Sequence, residues 1–223
     1  MKTEWTDITA SDGKTIKMYI ARPDDKPKGA VVVLQEIFGV NAHIRSVCDR
    51  LAAEGYVAGA PALFDRVSPG YERGYEPNDV QEGIGLMKTF DFAACMMDIF
   101  AAIDLLKADG KVSVVGFCLG GSLAYRSAIT RNDLAAASCY YGGQISDMAD
   151  TAPNCPTIIH FGETDQSIPI EKAEIVKTKR PEVPVYIYPA GHGFNCDARG
   201  AYEPQSAKIA WDRTLKLFAD AMA

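Results

Sequence analysis

The sequence predicts an α/β fold with a mainly parallel central sheet, helices on both faces and an antiparallel N-terminal hairpin. Three observations carry that expectation: compact apolar runs recur along the chain, helical spacings fill the gaps between them, and a turn signal near the start joins two alternating segments. Residues 5–9 and 15–21 alternate apolar and polar positions on either side of Asp12-Gly13, the pattern of a hairpin. Compact apolar runs follow at 30–34, 57–60, 112–115, 135–141, 157–161 and 185–188. Runs of this length without polar alternation suit strands covered on both faces. Between them, Met96, Ile99, Ile103 and Leu106, and near the end Trp211, Leu215, Phe218 and Met222, recur at three or four residues and describe amphipathic helices. Strand and helix therefore alternate, which implies right-handed crossovers and places a site at the carboxyl ends of the strands. Segment 65–79, with Pro69-Gly70, Gly74 and Pro77, is the longest irregular stretch and reads as a lid or pocket wall.

At 223 residues and 48% hydrophobic, the chain has apolar mass enough for one large core, so a single domain over 1–223 is expected. A net charge of −6 argues against nucleic acid and anionic membranes as partners, because phosphate binding needs clustered cations. A small solute is the expected partner, and a monomer is favoured. The first residues lack the apolar core of a signal peptide, and no run approaches the roughly 20 apolar residues of a membrane helix, so a cytoplasmic protein is expected. The six cysteines, Cys48, Cys95, Cys118, Cys139, Cys155 and Cys196, form no CxxC pair and have no histidine at metal spacing. Neither a disulfide framework nor a metal site is indicated, and no cofactor is expected. Five of the six read as small buried hydrophobes or ordinary surface thiols.

The exception is Cys118, in Gly116-Phe117-Cys118-Leu119-Gly120-Gly121 at the end of an apolar run. This fits G-x-nucleophile-x-G, in which glycines remove side chains that would collide where a strand reverses sharply into a helix. The helix start puts N–H groups and a positive dipole end beside the sulfur, which favours thiolate over a thiol whose ordinary pKa is about 8.5. Taken alone, the same residues also describe a tight turn with a buried cysteine. Only three histidines can serve as a base. His43 reads as a solvated or capping residue early in a helix and His160 as a satisfied strand histidine. His192 instead follows the last run between two glycines, Gly191 and Gly193, in a loop free to bend toward residue 118. Asp165, an ordinary turn or cap aspartate if seen alone, follows the run before it. The chain order nucleophile, acid, histidine is that of α/β-hydrolases, with each member just after an expected strand.

With these residues in place, the sequence resembles the dienelactone hydrolase (carboxymethylenebutenolidase) family of α/β-hydrolases, which carry a cysteine nucleophile. The likeness runs through nearly the whole chain and rests on Gln35-Glu36-Ile37-Phe38-Gly39-Val40-Asn41, the Cys118 motif, Asp165, and Ala190-Gly191-His192-Gly193-Phe194. The resemblance implies a triad of Cys118, Asp165 and His192, with Glu36 as a further functional carboxylate that contacts the resting thiol. A structural carboxylate paired with an arginine such as Arg45 is the plainer role for Glu36. The implied reaction is cleavage of an ester or lactone, with the backbone N–H groups of Ile37 and Leu119 receiving the oxyanion. Dienelactone-processing members hold the substrate's carboxylate with two arginines, and these are not reproduced: Cys196 stands four residues beyond His192, and no arginine stands at Val80 or Gln81. Arg73 and Arg199 are the nearby cations that could substitute, or else solvated surface residues. Phe38 and Phe194, with Phe64, Tyr71, Tyr75 and Tyr140, could line a pocket or belong to the core. The alternatives are a broader esterase or thioesterase of the same fold, and a non-catalytic ligand-binding member.

Overall fold

The computed structural model describes residues 1–223. Its strands are β1 (Lys2–Thr9), β2 (Thr15–Arg22), β3 (Ala30–Leu34), β4 (Val57–Pro61), β5 (Val112–Phe117), β6 (Ala137–Tyr140), β7 (Thr157–Gly162) and β8 (Val185–Tyr188). Its helices are α1 (Ala42–Ala53), α2 (Pro77–Met87), α3 (Phe92–Leu106), α4 (Leu119–Thr130), α5 (Ile145–Met148), α6 (Ile170–Lys179) and α7 (Pro204–Met222). The chain forms two compact units, Met1–Val112 and Ser113–Ala223.

In the first unit the strand order is β1-β2-β4-β3. The expected hairpin is present, β1 and β2 pairing antiparallel up to Thr9 opposite Thr15, while β3 and β4 run parallel on either side of the α1 crossover. Asn41 caps α1, its side-chain oxygen accepting the Ile44 N–H at 3.2 Å. That leaves no capping role for His43, which differs from its sequence reading: it lies on the buried stripe of α1 with Ile44, Val47, Cys48 and Leu51. A helix presents one stripe to the core, and position 43 falls on it. Segment 65–79 is tied at its start by hydrogen bonds and ends in a helix. A short 3-10 turn covers Leu63–Arg66, the Asp65 carboxylate accepts the N–H groups of Lys17 (3.0 Å) and Gly70 (2.8 Å), and α2 begins at Pro77. The Arg66 guanidinium bridges Asp12 and the fully buried Asp98, with contacts of 2.6 to 3.1 Å. Burial of Asp98 is tolerable only because this paired fork satisfies it.

The second unit orders its strands β5-β6-β7-β8, all parallel. Every residue of β5, β6 and β7 is buried, as expected of strands covered on both sides. Helix α7 starts at Pro204 with Glu203 accepting the Gln205 and Ser206 N–H groups, and it buries Ala207, Ala210, Trp211, Thr214, Phe218 and Met222 along one stripe. A fully buried ring such as Phe218 contributes about 2 to 3 kcal/mol relative to exposure.

Candidate active site

Cys118 stands where β5 turns into α4, with φ 55° and ψ −112°. A non-glycine residue at positive φ costs on the order of 1 to 3 kcal/mol, so the surroundings must hold it there. They do so from two sides. The Cys118 N–H donates to the Tyr140 carbonyl at the end of β6 (3.1 Å), while the Cys118 carbonyl accepts from Gly121 and Ser122 and opens the helix. Gly116 makes the reversal possible, because a Cβ there would run into the Gly120 carbonyl. The Leu119 N–H, in the first turn of α4, has no intrahelical acceptor, and it stands beside the sulfur at the positive end of the helix. Cys118 is also the single cysteine of the six that is not buried.

Asp165 follows β7. One carboxylate oxygen accepts the N–H groups of Ser167 (2.7 Å) and Ile168 (3.0 Å), and the other accepts from His192 Nδ1 at 2.7 Å. The two loops are also tied through backbone, Glu163 N–H to the Tyr188 carbonyl and Thr164 N–H to the Ala190 carbonyl. Cys118, Asp165 and His192 thus meet in one place within the second unit. Burial works against a charged His192 ring, but hydrogen bonds to Asp165 and Cys118, with their negative charges, outweigh it and push His192 up to about 10. An imidazole held this way has its Nδ1 proton fixed on Asp165 and its other nitrogen directed to the sulfur.

The loop around His192 is shaped by its neighbours. Gly193 has φ 82°, and a Cβ there would collide with the Arg199 guanidinium, so Arg199 lies directly against the backbone that follows His192. The Tyr141 ring, itself at positive φ (37°), lies 5.1 Å from the His192 ring. Nothing in the sequence marks Tyr141, because its place depends on how β6 ends. Phe194 is fully buried against Tyr188, Tyr141 and Tyr140, and presents no ring surface to solvent.

The remaining expected residues lie in the first unit. Glu36 is fully buried, and one of its oxygens accepts the Tyr75 hydroxyl at 3.0 Å. Tyr75 in turn accepts from Asn41 Nδ2 (3.1 Å), the side chain whose oxygen caps α1. Arg45 is bidentate to Glu72 instead of Glu36. Ile37 is nearly buried, and Phe38 is 1% exposed with its ring edge-on to Tyr75 at 4.7 Å, so Phe38, like Phe194, packs instead of facing solvent. Arg73 is held by Glu82 at 2.6 Å and lies over the Tyr71 ring.

His160, within β7, is fully buried, as its strand position suggested. Burial first, and the Arg213 charge second, push it down to about 3. Because that folded value lies below the ordinary 6.5, the folded state favours the neutral ring. The associated stability is complete above pH 6.5 and is lost as pH falls toward 3, up to about 5 kcal/mol in all. Urea unfolding at pH 7, 5 and 4 is expected to show this loss, and the acid slope is expected to be shallower by up to one proton in His160→Gln.

Fold and the arrangement of Cys118, Asp165 and His192 are those of an α/β-hydrolase-fold protein. The chain belongs to the dienelactone hydrolase family, whose sequence model matches residues 16–222. A Synechocystis sp. protein named "Putative carboxymethylenebutenolidase" is 36% identical over 208 residues, covering 84% of each chain. The carboxymethylenebutenolidase of Pseudomonas putida is 32% identical over 232 residues, 98% of this chain and 97% of that one. Among solved structures, a "Putative Dienelactone Hydrolase" from Klebsiella pneumoniae subsp. pneumoniae MGH 78578 superposes with a TM-score of 0.86 at 31% identity, covering 98% and 99% of the two chains. No helix of this chain is long and apolar enough to cross a membrane.

Proposed function

We propose that this member of the family is a cofactor-independent, cytoplasmic, single-domain hydrolase of carboxylic esters and lactones with Cys118 as nucleophile, acting on enol-lactones of the dienelactone type. The observation that carries the reading is the continuous line from Asp165 through His192 to Cys118, closed by a 2.7 Å hydrogen bond at the carboxylate end. The Cys118 sulfur attacks the carbonyl carbon, and the carbonyl electron pair moves onto oxygen, where the Leu119 N–H receives it. The oxyanion collapses, the C–O bond to the leaving group breaks, and His192 delivers its proton to that oxygen. Water then adds to the thioester, giving its proton to His192, and collapse of the second tetrahedral adduct frees the acid and returns the sulfur. A thiolate formed before attack suits an enolate leaving group, which is stable enough to depart without a strongly basic nucleophile. For Glu36 and Ile37 the support is family membership: a carboxylate that governs the thiol, and a second oxyanion donor. Glu36→Gln is expected to lower kcat/KM about a hundredfold or more, in the range typical of a group that assists proton transfer; unchanged kinetics would remove Glu36 from the reaction.

A second reading, hydrolysis of uncharged esters or thioesters, is favoured by one observation: Arg73, one of the two cations considered for a substrate carboxylate, is already engaged by Glu82. The test compares kcat/KM for a carboxylated dienelactone and an uncharged aryl ester in the wild type, Arg199→Gln and Cys118→Ala. Preference for the dienelactone, with a raised KM for it alone in Arg199→Gln, is the expected result. Preference for the aryl ester moves the protein to the second reading, and turnover indifferent to Cys118 overturns both.

A further inference from the structure

A buried polar chain runs through the second unit beneath the catalytic residues. Arg213 on α7 donates from Nη1 to the Tyr188 hydroxyl (2.9 Å), which lies 2.8 Å from His160 Nδ1. On the other side of the ring, His160 Nε2 lies 3.3 Å from Ser138 Oγ, and Ser138 and Tyr140 hydroxyls both reach Thr214 Oγ1, at 2.8 and 2.7 Å. Thr214 donates to the Ala210 carbonyl at 3.0 Å.

The direction of this chain is fixed by its ends. A guanidinium only donates, so the Tyr188 oxygen accepts from Arg213 and sends its own proton to His160 Nδ1. The ring therefore carries its proton on Nε2 and donates it to Ser138. Ser138 and Tyr140 then donate to Thr214, whose proton goes to the Ala210 carbonyl. Each hydroxyl proton is used once, and the arrangement requires a neutral His160, in line with its depressed pKa. Apolar side chains would fill the same space with less desolvation, whereas a fully satisfied network specifies a single arrangement.

What that arrangement specifies is visible in the backbone. Tyr140, His160 and Tyr188 sit near the ends of β6, β7 and β8, and their own carbonyls receive the N–H groups that set the site. Tyr140 accepts from Cys118 (3.1 Å), His160 from Tyr141 (2.8 Å), and Tyr188 from Glu163 (2.8 Å) just ahead of Asp165. We propose that the Arg213–Tyr188–His160–Ser138–Thr214–Tyr140 chain is a positioning device that locks three strand ends in register, so that Cys118, Asp165 and His192 meet. Its members are positioning residues; none touches the reacting atoms. The proposal rests on the catalytic reading above.

The groups facing His192 within this unit are Asp165, Cys118 and Tyr141, with the Arg199 guanidinium against the adjoining Gly193, and those facing His160 are Arg213, Tyr140, Tyr186 and Tyr188. Loosening the strand ends weakens the hold of Asp165 on the imidazolium, so the thiolate that pairs with it forms only at higher pH. The experiment measures two quantities in the wild type, Tyr188→Phe, Thr214→Val and Thr214→Ser. They are steady-state kinetics on an aryl ester and the pH profile of Cys118 alkylation by iodoacetamide, with Tm as the folding control. For Tyr188→Phe and Thr214→Val, kcat is expected to fall about tenfold or more at nearly constant KM, since small misplacements of reacting groups cost up to about a hundredfold. The alkylation profile moves to higher pH in both, and Thr214→Ser restores it. Lower Tm with unmoved kcat and alkylation profile overturns the proposal, leaving the chain a purely structural role. Should Thr214→Val not fold, Tyr188→Phe, which removes one atom, decides. Alkylation needs no substrate, so absence of Cys118-dependent turnover in the wild type overturns the catalytic reading while the profile still decides on positioning.

Discussion

With alanine at position 118, kcat/KM for an aryl ester is expected to fall by at least about 10³-fold and the acylation burst to vanish, while Tm stays near that of the wild type. Two features make the effect large. The sulfur is the covalent partner in the proposed cycle, and the other five thiols are withdrawn from it: burial pushes Cys48, Cys95 and Cys139 well above the ordinary thiol range and Cys155 up to about 11, and Cys196 is fully buried. Removing the sulfur also removes a hydrogen bond and a charge that hold His192 up, so the base loses its poise along with its partner. Stability barely changes, because alanine keeps the Cβ and with it the positive-φ strain of the turn. Stopped-flow absorbance at 405 nm with a nitrophenyl ester reads the burst, and a persisting burst would exclude Cys118 as nucleophile.

The residues that were legible beforehand are those whose signal is local. Glycines around Cys118 announce a reversal of the chain because only small residues fit where β5 and α4 touch, and compact, mostly apolar runs announce β3, β5 and β7 because both faces of those strands are covered. Glycine flanks gave away the His192 loop in the same manner. Where burial depends on packing, the reading weakens. His43 looked solvated or capping because it falls early in a helix, yet the helix phase set by the Asn41 cap turns it inward. Helix α2 begins inside the stretch 65–79 that reads as irregular and went unread beyond it, since Gly83 and Gly85 break its pattern and Gly83 is its one buried residue. Phe38 and Phe194 could be read as pocket or core from type alone, and burial places both rings in packed aromatic clusters. The His160 chain was out of reach for a deeper reason: it joins residues of four elements whose meeting depends on strand register, Tyr140 opposite His160 and His160 opposite Tyr186, which no single stretch of sequence records.

Asparagine at position 165 is expected to lower kcat by about a hundredfold or more, with little change in KM and a shifted pH profile. The substitution is nearly isosteric, and its remaining carbonyl oxygen can still accept the Ser167 and Ile168 N–H groups that shape the loop, so the fold should persist. What changes is the edge facing His192. The carboxylate oxygen that accepts the Nδ1 proton at 2.7 Å becomes an amide that donates, and two donors cannot face each other. The imidazole responds by moving its proton to Nε2, where it blocks the nitrogen that must take part with the sulfur. Loss of the carboxylate also removes one of the two partners that lift His192 to about 10, so its pKa falls and the imidazolium form is depleted from the alkaline side downward. The thiolate that pairs with this imidazolium is then less well supported, and alkylation of Cys118 is expected to require higher pH in Asp165→Asn than in the wild type. Proton NMR of the His192 ring over pH 5 to 10 and the kcat profile test the same chain of cause: a downfield Nδ1 proton that survives the substitution, with unchanged kcat, would show that Asp165 neither orients nor charges the base.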